Sequence, residues 1–272
     1  MAACLLVLTD FTPAADQALT YADKLATKLG ASLVLLHIRR ESLLDPDAFN
    51  GYIQRMSEGE VAAALAERTA PLTAPTTVEA SVAGITEATQ QALEKYQPLL
   101  LVLGKPDSTR IPDELVTTTS LNLLRAVSLP LLVVSVGQAA TVPTQVVVAA
   151  DGEPFQLSAP VAEGAQQLLA ALAPGITVAY VAEPEHSDDS KPAVASVQDS
   201  GLLPETALVQ GYGVRCRRAS EGVLQAQLDK QADLLVVIAR RRSFFGHMFN
   251  HSVSSQLVLH SPVPVLLLPA VT

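Results

Sequence analysis

The feature that most constrains this chain is an internal repeat. Residues 99–135, LLLVLGKPDSTRIPDELVTTTSLNLLRAVSLPLLVVS, and residues 233–269, DLLVVIARRRSFFGHMFNHSVSSQLVLHSPVPVLLLP, follow one plan. Each runs from an apolar strand into a polar loop, a helix of about three turns, a proline and a second apolar strand. When Pro130 is laid on Pro264, Gly104 falls at Ile238 and Thr118 falls on Ser252. A segment said twice at this spacing implies two similar units in tandem. A strand, a loop and a helix N-terminus in this order form the usual place for an α/β sheet to hold a phosphate.

The stretches before each copy complete the units. Cys4–Leu8 is continuously apolar and ends at Thr9-Asp10, as a buried strand with a carboxylate at its C-terminal edge does. Thr12-Pro13 opens a helix, with Ala18, Tyr21, Ala22, Leu25, Ala26 and Leu29 at helical spacing and Gly30 as its stop. Strands are expected over Ala31–Ile38, Thr76–Val82, Pro98–Leu103 and Pro130–Val136, with helices over Met56–Ala70, Gly84–Tyr96 and Asp113–Ala126 and a loop-like stretch from Arg39 to Tyr52. After Gly137–Thr144 the cycle restarts: strand Gln145–Ala150 ending at Asp151-Gly152, helix Leu157–Leu172, strand Ile176–Val181, an acidic turn Glu183–Ser190, and a short helix and loop within Lys191–Gly213. The third strand is placed at Val214–Ala219 and a helix capped by Ser220 at Ser220–Gln231. Strands alternating with helices give two open, doubly wound, five-stranded parallel sheets of Rossmann-like type. The units are residues 1–138 and 145–272, with residues 137–144 as linker.

Half of the composition is apolar with no tryptophan, so the cores must be aliphatic. The net charge of −9 is shared between the halves, and neither has the basic excess of a nucleic-acid binder. Cys4 and Cys216 sit in different repeats and form neither a disulfide framework nor a metal site. The N-terminus has no basic flank and reads as a first strand, and no apolar run approaches the length of about 20 residues that spans a bilayer. The expected setting is a reducing cytoplasm, with no membrane or nucleic-acid partner.

Thr9-Asp10-Phe11-Thr12, Ala150-Asp151-Gly152-Glu153 and the closing segment Ser252–Leu268 with Pro262-Val263-Pro264, in this repeated order, resemble the universal stress protein family. The resemblance covers essentially the whole chain as two consecutive family domains. It implies the adenine-nucleotide-hydrolase-like fold and a stress-response role. In nucleotide-binding members a Gly, two residues, a Gly, nine residues and then Gly-Ser or Gly-Thr wrap ATP phosphates, since glycine lets successive backbone amides converge on an anion. Here the first half offers Gly104, Asp107 and Thr117-Thr118, and the second offers Ile238, Arg241 and His251-Ser252. One glycine of six survives, and Asp107 adds like-charge repulsion. The expectation is therefore a non-enzymatic protein with no ATP cofactor, acting through a protein partner or a small ligand in a degenerate pocket. The rival is an ATP-binding member with slow ATPase activity, held by Asp10, Gly104, Thr117 and Thr118. Hydrolase chemistry of the related architecture has no supporting motif. Family members dimerise through the fifth strand, so the resemblance implies that the two fifth strands pair as an intrachain pseudo-dimer, leaving a homodimer open.

Arg240, Arg241 and Arg242 with His247 and His251 form the one cationic cluster on this acidic chain. It is read either as an anion site, in which guanidinium groups replace the lost glycine amides and Ser252 adds a cap hydroxyl, or as a solvated loop whose arginines pair with nearby acids. Phe244, Phe245, Met248 and Phe249 suit a plug on the vacated pocket. His37 suits a satisfied strand-end histidine, and His186 and His260 have no metal-ligand spacing around them. Asp10 and Asp151 stand at the switch point of each sheet, where a carboxylate either meets a ligand or caps the next helix.

Overall fold

A computed structural model of the chain describes residues 3–38, 56–105, 128–203, 207–240 and 252–271. The expected helix Asp113–Ala126 and the stretch Arg39–Tyr52 lie outside these residues. The first half comprises β1 (Cys4–Thr9), α1 (Pro13–Leu29), β2 (Ser32–Ile38), α2 (Glu58–Thr69), β3 (Thr76–Ser81), α3 (Ile85–Tyr96), β4 (Leu100–Lys105) and β5 (Leu131–Ser135). The second comprises β6 (Gln145–Ala149), β7 (Gln156–Leu157), α4 (Ala159–Leu172), β8 (Gly175–Ala182), α5 (Lys191–Asp199), β9 (Val209–Arg215), α6 (Ala219–Asp229), β10 (Leu234–Arg240), α7 (Val253–His260) and β11 (Val265–Val271).

Each half contributes five parallel strands, and the two sets join into one sheet of order β3-β2-β1-β4-β5-β11-β10-β6-β8-β9. The join is antiparallel, with Val133 opposite Val265, Leu132 opposite Leu266 and Leu131 opposite Leu267. It satisfies the main-chain edge that an unpaired fifth strand would expose. Gly104 lies opposite Val134 and Ile238 opposite Leu268, so the two stand at equivalent points of their sheets.

Strands buried on both faces need aliphatic side chains on both, and Leu5, Leu6 and Val7 of β1 and Leu100, Leu101 and Val102 of β4 have no exposure. Each face carries one core that runs through both halves. The halves also interlock: α4 approaches so closely that a Cβ at Gly164 would meet the Leu99 carbonyl and stand 3.2 Å from Pro130 Cγ. Local chemistry sets the helix ends. Thr12 Oγ1 accepts from Ala15 N–H at 3.3 Å, Pro13 occupies the first turn and Gly30 closes α1 at φ 64°. Ser57 and Glu60 make a reciprocal capping box on α2.

Three local expectations need correction. The third strand of the second half is Val209–Arg215, not Val214–Ala219. Its Gly211 and Gly213 exist because Ser190 Oγ and the Asp188 carbonyl press where a Cβ would stand, and Arg217-Arg218 fall in the bend that follows. Ser220 does not cap α6; Arg218 precedes it with no side-chain cap bond, and binds Glu221 instead at 2.8 Å. The helix expected from Leu157 starts at Ala159, because Gln156 and Leu157 form a short strand on β11.

Candidate functional site

The C-terminal edge of each sheet was the expected ligand site, and among the described residues Asp10, Asp151, Arg240 and Ser252 are engaged within the protein. In the first half Asp10 follows β1. Its Oδ1 accepts from Thr12 N–H at 3.1 Å and from Thr12 Oγ1–H at 2.6 Å. Thr12, not Asp10, caps α1, and Asp10 holds the capping residue in the turn that leads into the helix. Gly104 is crowded by α1: a Cβ there would meet the Ala14 carbonyl and lie 2.6 Å from Ala15 N. Helix packing alone therefore demands glycine at this position. Thr117 and Thr118 lie outside the described residues, as does Asp107.

Beside them the sequence reading missed a stack. Phe11 adopts a left-handed φ of 64°, which costs a non-glycine residue energy and so needs compensation. Its ring stacks on His37 with centroids 4.2 Å apart, and the Arg68 guanidinium sits 4.8 Å over the same ring. Arg68 also donates to the Phe11 carbonyl at 3.1 Å and pairs with Asp16 at 2.6 Å. His37 is buried, with Nδ1 3.0 Å from the Thr9 carbonyl. An aromatic residue next to a switch-point carboxylate is the only sequence signal that could have pointed here.

In the second half the arrangement is ionic. Arg240, the last residue of β10, donates from Nε to Asp151 Oδ2 at 2.9 Å and from Nη2 to Asp151 Oδ1 at 2.7 Å, a two-pronged pair. Its guanidinium also donates to the Pro154 carbonyl at 3.0 Å and the Glu153 carbonyl at 2.7 Å. The Arg240 side chain is 16% exposed and that of Asp151 is 55% exposed. Asp151 Oδ1 accepts from Glu153 N–H as well. Ser252 Oγ accepts from Ser255 N–H at 3.2 Å, capping α7. Arg241, Arg242, His247, His251 and the aromatic residues of the same loop lie outside the described residues.

These groups border a cleft of about 170 Å³ whose lining includes Asp151, Phe155, Ala179, Val237, Ile238 and Arg240. Pockets that hold small ligands run from about 300 to 1,000 Å³. Ile238, standing where a phosphate loop would open with glycine, contributes a branched side chain to this wall. A larger cleft of about 500 Å³ lies elsewhere, between the end of β5 and the start of β11, and its lining includes Lys105, Gln138 and Asp233. Lys105 Nζ donates to the Leu259 carbonyl, placing a buried cation at the C-terminal end of α7. The Asp233 carboxylate accepts from Thr144 N–H, Thr144 Oγ1–H and Gln145 N–H, and so anchors the linker to β6. The sequence carried no local sign of either contact.

Among the described residues there is no cluster of three or more histidine, cysteine, aspartate or glutamate side chains suited to a metal. Among them, too, no helix is long and apolar enough to cross a membrane.

No curated protein matches the chain. Of solved structures, a universal stress protein from Archaeoglobus fulgidus aligns with a TM-score of 0.67 at 17% identity, covering 97% of each chain. A protein of unknown function from Pseudomonas aeruginosa aligns at 0.54 and 14% identity, over 98% of this chain and 92% of that one. The cytoplasmic domain of a prokaryotic cation chloride cotransporter aligns at 0.51 and 10% identity, over 98% and 95%. At such identities these likenesses concern the fold. The profile of the universal stress protein family matches residues 2–135 and again residues 144–269. The chain therefore belongs to the universal stress protein family, with two family domains in tandem.

Proposed function

We propose that this protein is a non-enzymatic member of its family that works without ATP, through contacts with a protein partner or a small ligand, in a reducing cytoplasm. The observation that carries this reading is the Arg240–Asp151 pair. Of the three guanidinium groups that could replace the lost glycine amides, the one among the described residues, that of Arg240, is bound on the protein's own carboxylate and two carbonyls. On the other half, Asp10 is spent on the turn into α1 and Gly104 is filled against by that helix. Both cysteines are free thiols, in keeping with a reducing compartment.

The rival reading, ATP binding with slow hydrolysis, draws on the retained Gly104 in the first half. Calorimetric titration of the full chain with Mg-ATP separates the two. Micromolar binding requires about −8 kcal/mol, much of it from converging backbone amides that Ile238 and the helix packed on Gly104 obstruct. The expected result is no binding at tens of micromolar. Clear binding in that range, with release of phosphate on incubation, would establish the rival.

A further inference from the structure

The two halves differ at one pseudo-symmetric position. Laying Pro130 on Pro264 places Val136 on Ala270 and Gly137 on Val271. In the second half, β11 runs past its pairing with β5, and the freed edge is covered by the chain's own β7, with Ala270 opposite Leu157 and Val271 opposite Gln156. β7 belongs to the longer connection, residues 150–158, between β6 and α4. In the first half the connection from β1 to α1 is only Asp10-Phe11-Thr12, and it supplies no such strand. The matching edge, Val136-Gly137, instead borders, with Ser135 before it, the cleft of about 500 Å³.

The chemistry of the cleft fits a missing strand. Since Val136 N–H bonds to the Lys105 carbonyl on β4, the Ser135 N–H points to the opposite side, where an added strand would lie. It donates to Gln138 Oε1 at 3.2 Å, so a side-chain amide stands where a strand carbonyl would be. The other end of that amide, Gln138 Nε2, is buried with no hydrogen-bond partner. A buried donor left unpaired is costly and is relieved by any incoming carbonyl. Val136, Ala139 and Val263 supply an apolar wall. The two charged residues of the lining among the described residues, Lys105 and Asp233, are hydrogen-bonded to the Leu259 carbonyl and to Thr144 and Gln145. The wall thus balances one cation with one anion, which suits a neutral main chain better than a phosphate.

We propose that this cleft is a strand slot that receives an extended peptide segment of a protein partner, antiparallel to the end of β5, as β7 lies along β11. One backbone carbonyl of the segment replaces Gln138 Oε1 on Ser135 N–H, and the Gln138 amide, turned out by it, brings its buried Nε2 to a partner. An aliphatic side chain opposite Val136 packs on Ala139 and Val263, as in other recognition by strand addition. The inference rests on the proposed reading that the protein works through protein contacts, but it concerns a different surface from the nucleotide edge.

The probe is the chain's own slot-filling sequence, a capped Pro-Phe-Gln-Leu-Ser peptide, titrated to about 1 mM into the full-length protein and followed by backbone amide NMR. Saturable shifts are expected at Ser135, Gly137 and the Gln138 side-chain amide. Replacing leucine by lysine in the peptide should weaken binding at least about tenfold, a control that leaves the protein untouched. Ala139→Trp, at an exposed position, should block the slot to the same extent. No saturable shift, equal binding of the leucine and lysine peptides, or shifts unchanged in Ala139→Trp would overturn the proposal. An ATP titration scores the nucleotide question separately, so the two readings fail independently.

Discussion

Arg240→Ala tests whether the second half's cationic edge serves the fold. The pair with Asp151 lies between two regimes: exposed ion pairs contribute about 0.2–1 kcal/mol, and shielded charge-assisted hydrogen bonds about 1.5–3 kcal/mol. With Arg240 only 16% exposed but Asp151 55% exposed, solvent screens the carboxylate. We take about 1 kcal/mol for the pair itself. Loss of the packed arginine stem and of its bonds to the Glu153 and Pro154 carbonyls adds about 0.5–1 kcal/mol, since those carbonyls regain water. The sum, about 1.5–2 kcal/mol, corresponds to a fall in Tm of about 3–8 °C for a chain of this size. Urea unfolding of the parent, Arg240→Ala, Asp151→Asn and the double variant gives the coupling directly, with about 1 kcal/mol expected at low salt and less at high salt. The response to millimolar phosphate should be the same with and without Arg240. A coupling below about 0.3 kcal/mol, or a phosphate stabilisation that vanishes in Arg240→Ala, would refute the assignment and favour the anion-site reading.

Two further outcomes are expected. Tyr21 is buried on α1 with its hydroxyl unpartnered, and desolvation together with the charge of Asp233 pushes its pKa well above the ordinary tyrosine range. The folded state thus favours the neutral phenol, so this contribution to stability is complete below the unfolded value of about 10 and declines as pH rises beyond it. Tyr21→Phe should raise stability at neutral pH by about 1 kcal/mol and flatten the alkaline decline; a loss of stability would mean that the hydroxyl is bonded in solution. Cleaving the chain once between Gly137 and Thr144 should leave the halves associated on size exclusion, because the β5–β11 ladder, the Lys105 bond to Leu259 and both aliphatic cores cross the junction. Two freely separating soluble halves would count against the continuous sheet.

The legible features were those encoded within a few residues. Apolar runs located β1, β4, β10 and β11, because a parallel strand covered on both faces must be aliphatic throughout. Thr12-Pro13 and Gly30 located the ends of α1, because caps are satisfied within one turn. The laying of Pro130 on Pro264 put Gly104 and Ile238 at one point of their sheets, as the strand register has them. By contrast, β9 was placed too late because its two glycines obey the loop that packs on it, and β7 was missed because two residues carry no period. The site depended still more on distance. Asp151 and Arg240 are 89 residues apart in the chain, and periodicity says nothing about which carboxylate a guanidinium will meet. The packing of α1 against Gly104 likewise joins residues about 90 positions apart and left no mark in the local sequence. Sequence alone determined the two units, most of their strands and the loss of most phosphate-loop glycines. Tertiary structure decided which of the remaining polar groups are already engaged, since each engagement is a contact between strand ends and helices brought together only by the sheet.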